Sequence, residues 1–197
     1  FLFVFSFRIT AGVYQVSSEL KEEVKVNLET YEQNKGSDEY KFELAMSYAY
    51  TGQIRKGWKV LKTISKSYAP VVIEKYEALK VEDPNEWRYP FKLAFGYYFI
   101  EKKSEAIAEF ELVLDIDPQH IWAMGFIALI LGEQGQIDEA IEICKKALKI
   151  EPNAIAIHFL LAEGYRKKGN YFKFISGMLT VGRLQTEASL RSESDDG

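Results

Sequence analysis

The sequence predicts an all-α solenoid of antiparallel helix pairs, and three observations carry that prediction. Pro84, Pro118 and Pro152 recur every 34 residues, each behind an acid: Asp83, Asp117 and Glu151. Other columns keep the same interval: Leu93, Ile127 and Leu161; Ala94, Ala128 and Ala162; Ile107, Ile141 and Ile175; Phe110, Cys144 and Met178. Between these columns the apolar residues step by three or four, the helical period. A fixed period of this size describes copies of one supersecondary unit, each too small to bury its own apolar face, stacked on the next.

Taken in order, residues 1–17 form an apolar N-terminal segment. Phe1, Phe3, Phe5, Phe7 and Ile9 alternate with period two, as in a strand. The run is far shorter than the roughly 20 residues of a membrane span. It is compatible with the trailing end of an anchor or signal sequence, with a segment packed on its own fold or on a neighbour, and with an artefact of cloning or gene assignment. Residues 18–34 then read as a helix with Leu20, Val24, Leu28 and Tyr31 as its stripe. A repeat unit follows at about 38–71. An extra helix is expected over 70–81, because Pro70 suits a first helical turn and Val72, Ile73, Tyr76 and Leu79 share one face. Three contiguous units occupy 87–120, 121–154 and 155–188. Residues 189–197 read as a disordered, acidic, solvated tail.

The pattern resembles the tetratricopeptide repeat: 34 residues, two antiparallel helices, small residues at the crossing and a closing Pro. Leu93, Ala94, Tyr97, Ala106, Phe110 and Pro118 occupy the family's signature columns in the first contiguous unit. Ile127, Ala128, Leu131, Gly135, Ala140, Ala147 and Pro152 do so in the second. The third keeps Leu161, Ala162, Tyr165 and Gly169, but has Phe174 in the small-residue column and lacks the closing Pro. Upstream, Leu44, Ala45, Tyr48, Gly52, Gly57, Leu61 and Ile64 match the same columns. The resemblance implies a right-handed superhelix and a non-catalytic scaffold for protein–protein interaction.

It also implies which side chains line the concave face. These are Phe42, Met46 and Tyr50, then Arg88, Phe91, Phe95, Tyr98 and Phe99, then Trp122 and Leu129, and last Phe159, Glu163, Arg166 and Lys167. Residues 121–131 (IWAMGFIALIL) hold no charge, and a helix apolar on every side must be covered on every side. One reading fills the groove with an apolar or amphipathic peptide, from a partner or from residues 1–9. Phe95→Asp or Trp122→Glu would then weaken capture and leave helicity mostly intact. The other reading buries the rings by tight stacking alone. Aromatics at Phe91 and Phe95 argue against the Lys and Asn of a carboxylate clamp for chaperone tails. Residues 171–184 present a second apolar edge. Either 185–190 folds back to cap it, or it pairs with another subunit, which makes a homo-oligomer the alternative function.

Composition and charge limit the other classes. With 47% hydrophobic and 27% charged residues, the chain is not disordered. Net charge is −4, which argues against a broad nucleic-acid footprint. The one Cys can close no intramolecular disulfide and build no zinc site. His120 and His158 have no partner at ligand spacing, and Cys144 sits in a core column. No metal or cofactor is expected. Gly52 and Gly57 have phosphate-loop spacing, but Trp58 stands where that loop needs Lys. A protein or peptide partner is expected, with a cytoplasmic or membrane-tethered setting depending on what residues 1–9 are.

Overall fold

The computed structural model describes residues 16–195, with side chains to residue 190. Among the described residues there are ten α-helices and no strand. The expectations for residues 1–9 lie outside the described residues. Helix α1 (Ser18–Gln33) starts at Ser17, whose hydroxyl accepts from Leu20 N at 3.2 Å, satisfying one free donor of the first turn. Helices α2 (Asp38–Tyr50) and α3 (Ile54–Leu61) form the upstream unit. A 3-10 turn (Lys66–Tyr68) leads into α4 (Ala69–Glu82), the inserted helix, with Pro70 in its first turn.

The contiguous units are α5 (Arg88–Phe99) with α6 (Lys103–Ile116), α7 (Ile121–Glu133) with α8 (Ile137–Ile150), and α9 (Ile155–Lys167) with α10 (Tyr171–Asp195). Their inner turns share one device: Gly52, Gly135 and Gly169 have φ of 78°, 85° and 74°, and Glu101 takes the same left-handed position at 62°. That conformation frees the next amide to reach back to the ending helix, as Gln53 N does to Tyr48 O and Gln136 N to Leu131 O, both at 2.9 Å.

The inserted helix changes the direction of the array. Two helices per unit keep every first helix parallel. One added helix reverses the sense, so α5 runs against α2. Tyr50, at the C-terminal end of α2, meets Trp87 and Phe91 at the start of α5, with ring centroids 5.1 and 5.5 Å apart. At the other end, Phe42 and Phe99 line one cleft. The centre of the protein is therefore a ring cluster rather than a trough. Phe91 packs edge-on against Phe110 at 5.3 Å, Phe95 against Phe126 at 4.8 Å, and Phe110 stacks on Phe126 at 5.5 Å. Each such pair adds about 0.5–1.5 kcal/mol beyond its buried area.

The expected solvated tail is corrected in part. Helix α10 continues to Asp195, and residues 185–190 extend it rather than fold back. No Pro or Gly interrupts residues 183–195, and Arg183 pairs with Glu187 one turn on at 2.7 Å.

Candidate functional site

The aromatic columns do form one surface, but the chain fills it itself. Phe42, Met46, Tyr50, Phe91, Phe95 and Trp122 are all buried, none more than 5% exposed. This corrects the expectation of an open aromatic trough. The cause is the reversal at α4, which lays the α2–α3 hairpin against the inner faces of α5 and α7. Tyr50 covers Phe91. Trp58 of α3 lines a gap with Phe95, Tyr98, Phe126 and Leu129. Gly52, at the hairpin's tip, lies so close to the Trp122 ring that an added Cβ would sit 2.9 Å from Cη2. The guest that the apolar helix α7 requires is thus this chain's own hairpin. Trp58 and Trp87 complete the cluster. Neither stands in a groove column, and only tertiary pairing brings them there.

Polar contacts fasten the same seam. Arg88, expected free at the rim, instead binds Glu19 at 2.6 Å, Glu23 at 3.1 Å and Glu86 at 3.1 Å, and lies over the Trp87 ring. Glu23 also accepts from the Tyr50 hydroxyl. Burial pushes the Glu23 carboxyl up, against the pull of Lys92 and Arg88. Glu43 receives Lys92 Nζ at 2.6 Å and the hydroxyl of Tyr76. Burial acts to raise the Glu43 carboxyl, yet Lys92, Tyr76 and Lys75 outweigh it and hold it below the usual range. These carboxylates link α1, α2, α4 and α5, and each already has its cation or hydroxyl partner.

His120 is part of the same packing. It is buried beside Trp87, with ring centroids 4.5 Å apart, and its Nδ1 accepts from Ala123 N at 3.1 Å to cap α7. Burial lowers its pKa to about 4, against the pull of Asp117. The unfolded chain binds this proton below pH about 6.5, while the folded chain refuses it down to about 4. Stability from this residue is full above about pH 6.5 and is lost as pH falls toward 4. We expect about 2–3 kcal/mol less stability at pH 4.5 than at pH 7.5 from this group. His120→Asn, which keeps a capping acceptor, should remove that share of the pH dependence in urea titrations.

The open surfaces lie toward the C-terminus. Phe159 is 44% exposed on the inner face of α9. Near it Glu163 pairs with Arg166 at 2.8 Å, and Lys167 donates to Gly132 O at 2.6 Å. Tyr98 and Phe99 are half-buried, Tyr98 donating to Glu133 at 2.8 Å. On α10, Tyr171, Phe172, Ile175, Leu179 and Leu190 stand between 57% and 85% exposed. Elsewhere, Cys144 is buried and its thiol is pushed up to about 12 by desolvation. His158 lies 2.7 Å from Pro152 O. Among the described residues no cluster of acids, His and Cys could hold a metal. No described helix is long and apolar enough to cross a membrane.

Comparison with known proteins agrees with this architecture. A tetratricopeptide-repeat family model matches residues 131–172. Over 75 residues, 38% of this chain, the sequence is 33% identical to the protein STIP1 homolog of Dictyostelium discoideum. The match spans 13% of that protein's length. A crystal structure of MamA superposes with a TM-score of 0.57 at 16% identity, covering 87% of this chain and 91% of that one. MamA 41-end from Desulfovibrio magneticus RS-1 gives 0.53 at 16% identity, with 86% and 88% covered. At such identities the structural likeness speaks for the fold alone. Residues 131–172 thus match the tetratricopeptide repeat, and the 34-residue columns and helix pairs carry the same architecture through the described residues on either side.

Proposed function

We propose that the protein is a non-catalytic protein–protein interaction scaffold that associates with a second copy of itself through the outer face of α10. One observation carries this reading. Phe172, Ile175, Leu179 and Leu190 fall within one narrow stripe at the helical period, and all four are exposed. Two of these positions are polar in the earlier copies. Ser104 and Asp138 precede Phe172 in its column, and Glu111 and Lys145 precede Leu179. Ile175 belongs to a core column, but Ile107 of the same column is half-buried and Ile141 is buried, packed near Gly164 of α9. A stripe along one straight helix is complementary to its own copy turned about a two-fold axis.

Sedimentation equilibrium from about 1 to 500 µM, the range of a modest interface, tests this. The protein should shift from monomer to dimer. Phe172→Asp with Leu179→Asp should stay monomeric with unchanged helicity, because both positions are solvent-exposed and cost within about 0.5 kcal/mol. A wild-type monomer throughout would overturn the reading. The exposed Phe159, beside Glu163 and Arg166, favours a second reading, capture of a peptide at the open end of the concave face.

A further inference from the structure

We infer that α3, the 3-10 turn and the start of α4 form a receptor for an acidic peptide that anchors one large apolar side chain. Residues 52–73 contain Arg55, Lys56, Lys59, Lys62 and Lys66 and not one acid, in a chain whose net charge is −4. Arg55, Lys59 and Lys62 follow the helical step of four and three, and Lys66 continues the row in the turn. All are exposed, and Arg55, Lys59, Lys62 and Lys66 make no ion pair among the described residues. Two carboxylates of this region are already matched: Asp38 by Lys41 at 2.8 Å and by Ser65 N at 3.1 Å, Glu39 by Lys75 at 2.9 Å. The surface therefore carries uncompensated positive charge.

The row borders a cleft of about 260 Å³, rimmed by Lys62 and Lys66 and lined by Phe42, Trp58, Leu61, Ile64, Tyr68 and Phe99. Its walls are apolar, and the Tyr68 hydroxyl makes no hydrogen bond among the described residues. The volume suits one bulky side chain rather than a cofactor, since small-molecule sites start at about 300 Å³. The shape decides between polyanions. A hollow receives an apolar group, whereas binding at a lipid surface needs apolar groups that project outward. Nucleic acid offers charge but no aliphatic or benzyl anchor. The occupant that matches both features has carboxylates on either side of a Phe, Leu or similar residue. This surface shares no residue with α10, so the two proposals stand or fall separately.

The probe is a fluorescein-labelled nonapeptide of Asp and Glu with one central Phe, followed by anisotropy. Saturable binding is expected below about 1 mM, weakening at least about tenfold between 50 and 500 mM salt, as screening demands. Replacing the central Phe by Ala, or the acids by Gln and Asn, should each cost at least about fivefold. Lys62→Glu with Lys66→Glu should remove binding while the far-ultraviolet spectrum stays unchanged. Sedimentation of the α10 variant with the peptide should show binding intact. No saturation by 1 mM, or equal binding of the Ala-centred peptide, would overturn the assignment. So would a preference for anionic vesicles or an oligonucleotide that ignores the anchor, because the cleft would then have no role.

Discussion

Phe95→Asp is expected to unfold the protein rather than silence one of its surfaces. Phe95 is 2% exposed and packs against Phe91, Phe110 and Phe126 at 5.6, 5.7 and 4.8 Å. Truncating such a ring costs about 3–5 kcal/mol. Leaving a carboxylate among these three rings adds several more, by desolvation or by forced protonation. The sum rivals the whole stability of a domain, about 5–15 kcal/mol. Circular dichroism should show lost helicity at 25 °C, or a melting temperature lowered far enough that little folded protein remains. Phe95→Leu is the control: it keeps an apolar side chain of similar size and should cost about 1–2 kcal/mol with the fold retained. Trp122→Glu, at 5% exposure, should behave like Phe95→Asp. Were Phe95→Asp to melt like the native protein, the ring would have to face an open trough, and the self-filled core described above would be wrong.

That reversal shows which features the sequence carries and which it does not. The 34-residue period was enough for the helix pairs and for a turn at Gly135 and Gly169, and Pro70 marked the inserted helix. The family resemblance implied an aromatic inner face, and composition said that residues 121–131 need cover on all sides. Periodicity says which face of a helix is apolar. It does not say which two apolar faces meet. Here the answer depends on parity: one helix inserted between units turns α5 against α2, and the first hairpin becomes the lid of the groove. The inserted helix was visible, and counting helices modulo two would have exposed the consequence. Trp58 shows the same gap, since from the sequence it only excludes a phosphate loop, and in the fold it sits against Phe95 and Leu129. The acid-free stretch over 52–73 was also readable. It gained meaning only when α4 placed a cleft beside it.

The seating of that hairpin is tested at its tip. Gly52→Ala should destabilise the protein by roughly 2–5 kcal/mol, well beyond Gly135→Ala. Both glycines hold left-handed φ, 78° and 85°, so each substitution incurs the same backbone penalty of about 1–2 kcal/mol. Their surroundings differ. A Cβ at Gly135 meets nothing within 4 Å. A Cβ at Gly52 overlaps Cζ2 of Trp122 and sits 2.9 Å from its Cη2, and the indole is buried. Overpacking of this kind costs about 1–3 kcal/mol. Urea unfolding of the two single variants measures the difference directly. Placing Gly52→Ala on a Trp122→Leu background should shrink its cost to that of Gly135→Ala, because the clash is gone and only the backbone term is left. Such coupling is the signature of residues in contact. Equal costs for the two glycines would mean the tip of the hairpin does not touch α7, and that the groove stands open to a guest from outside.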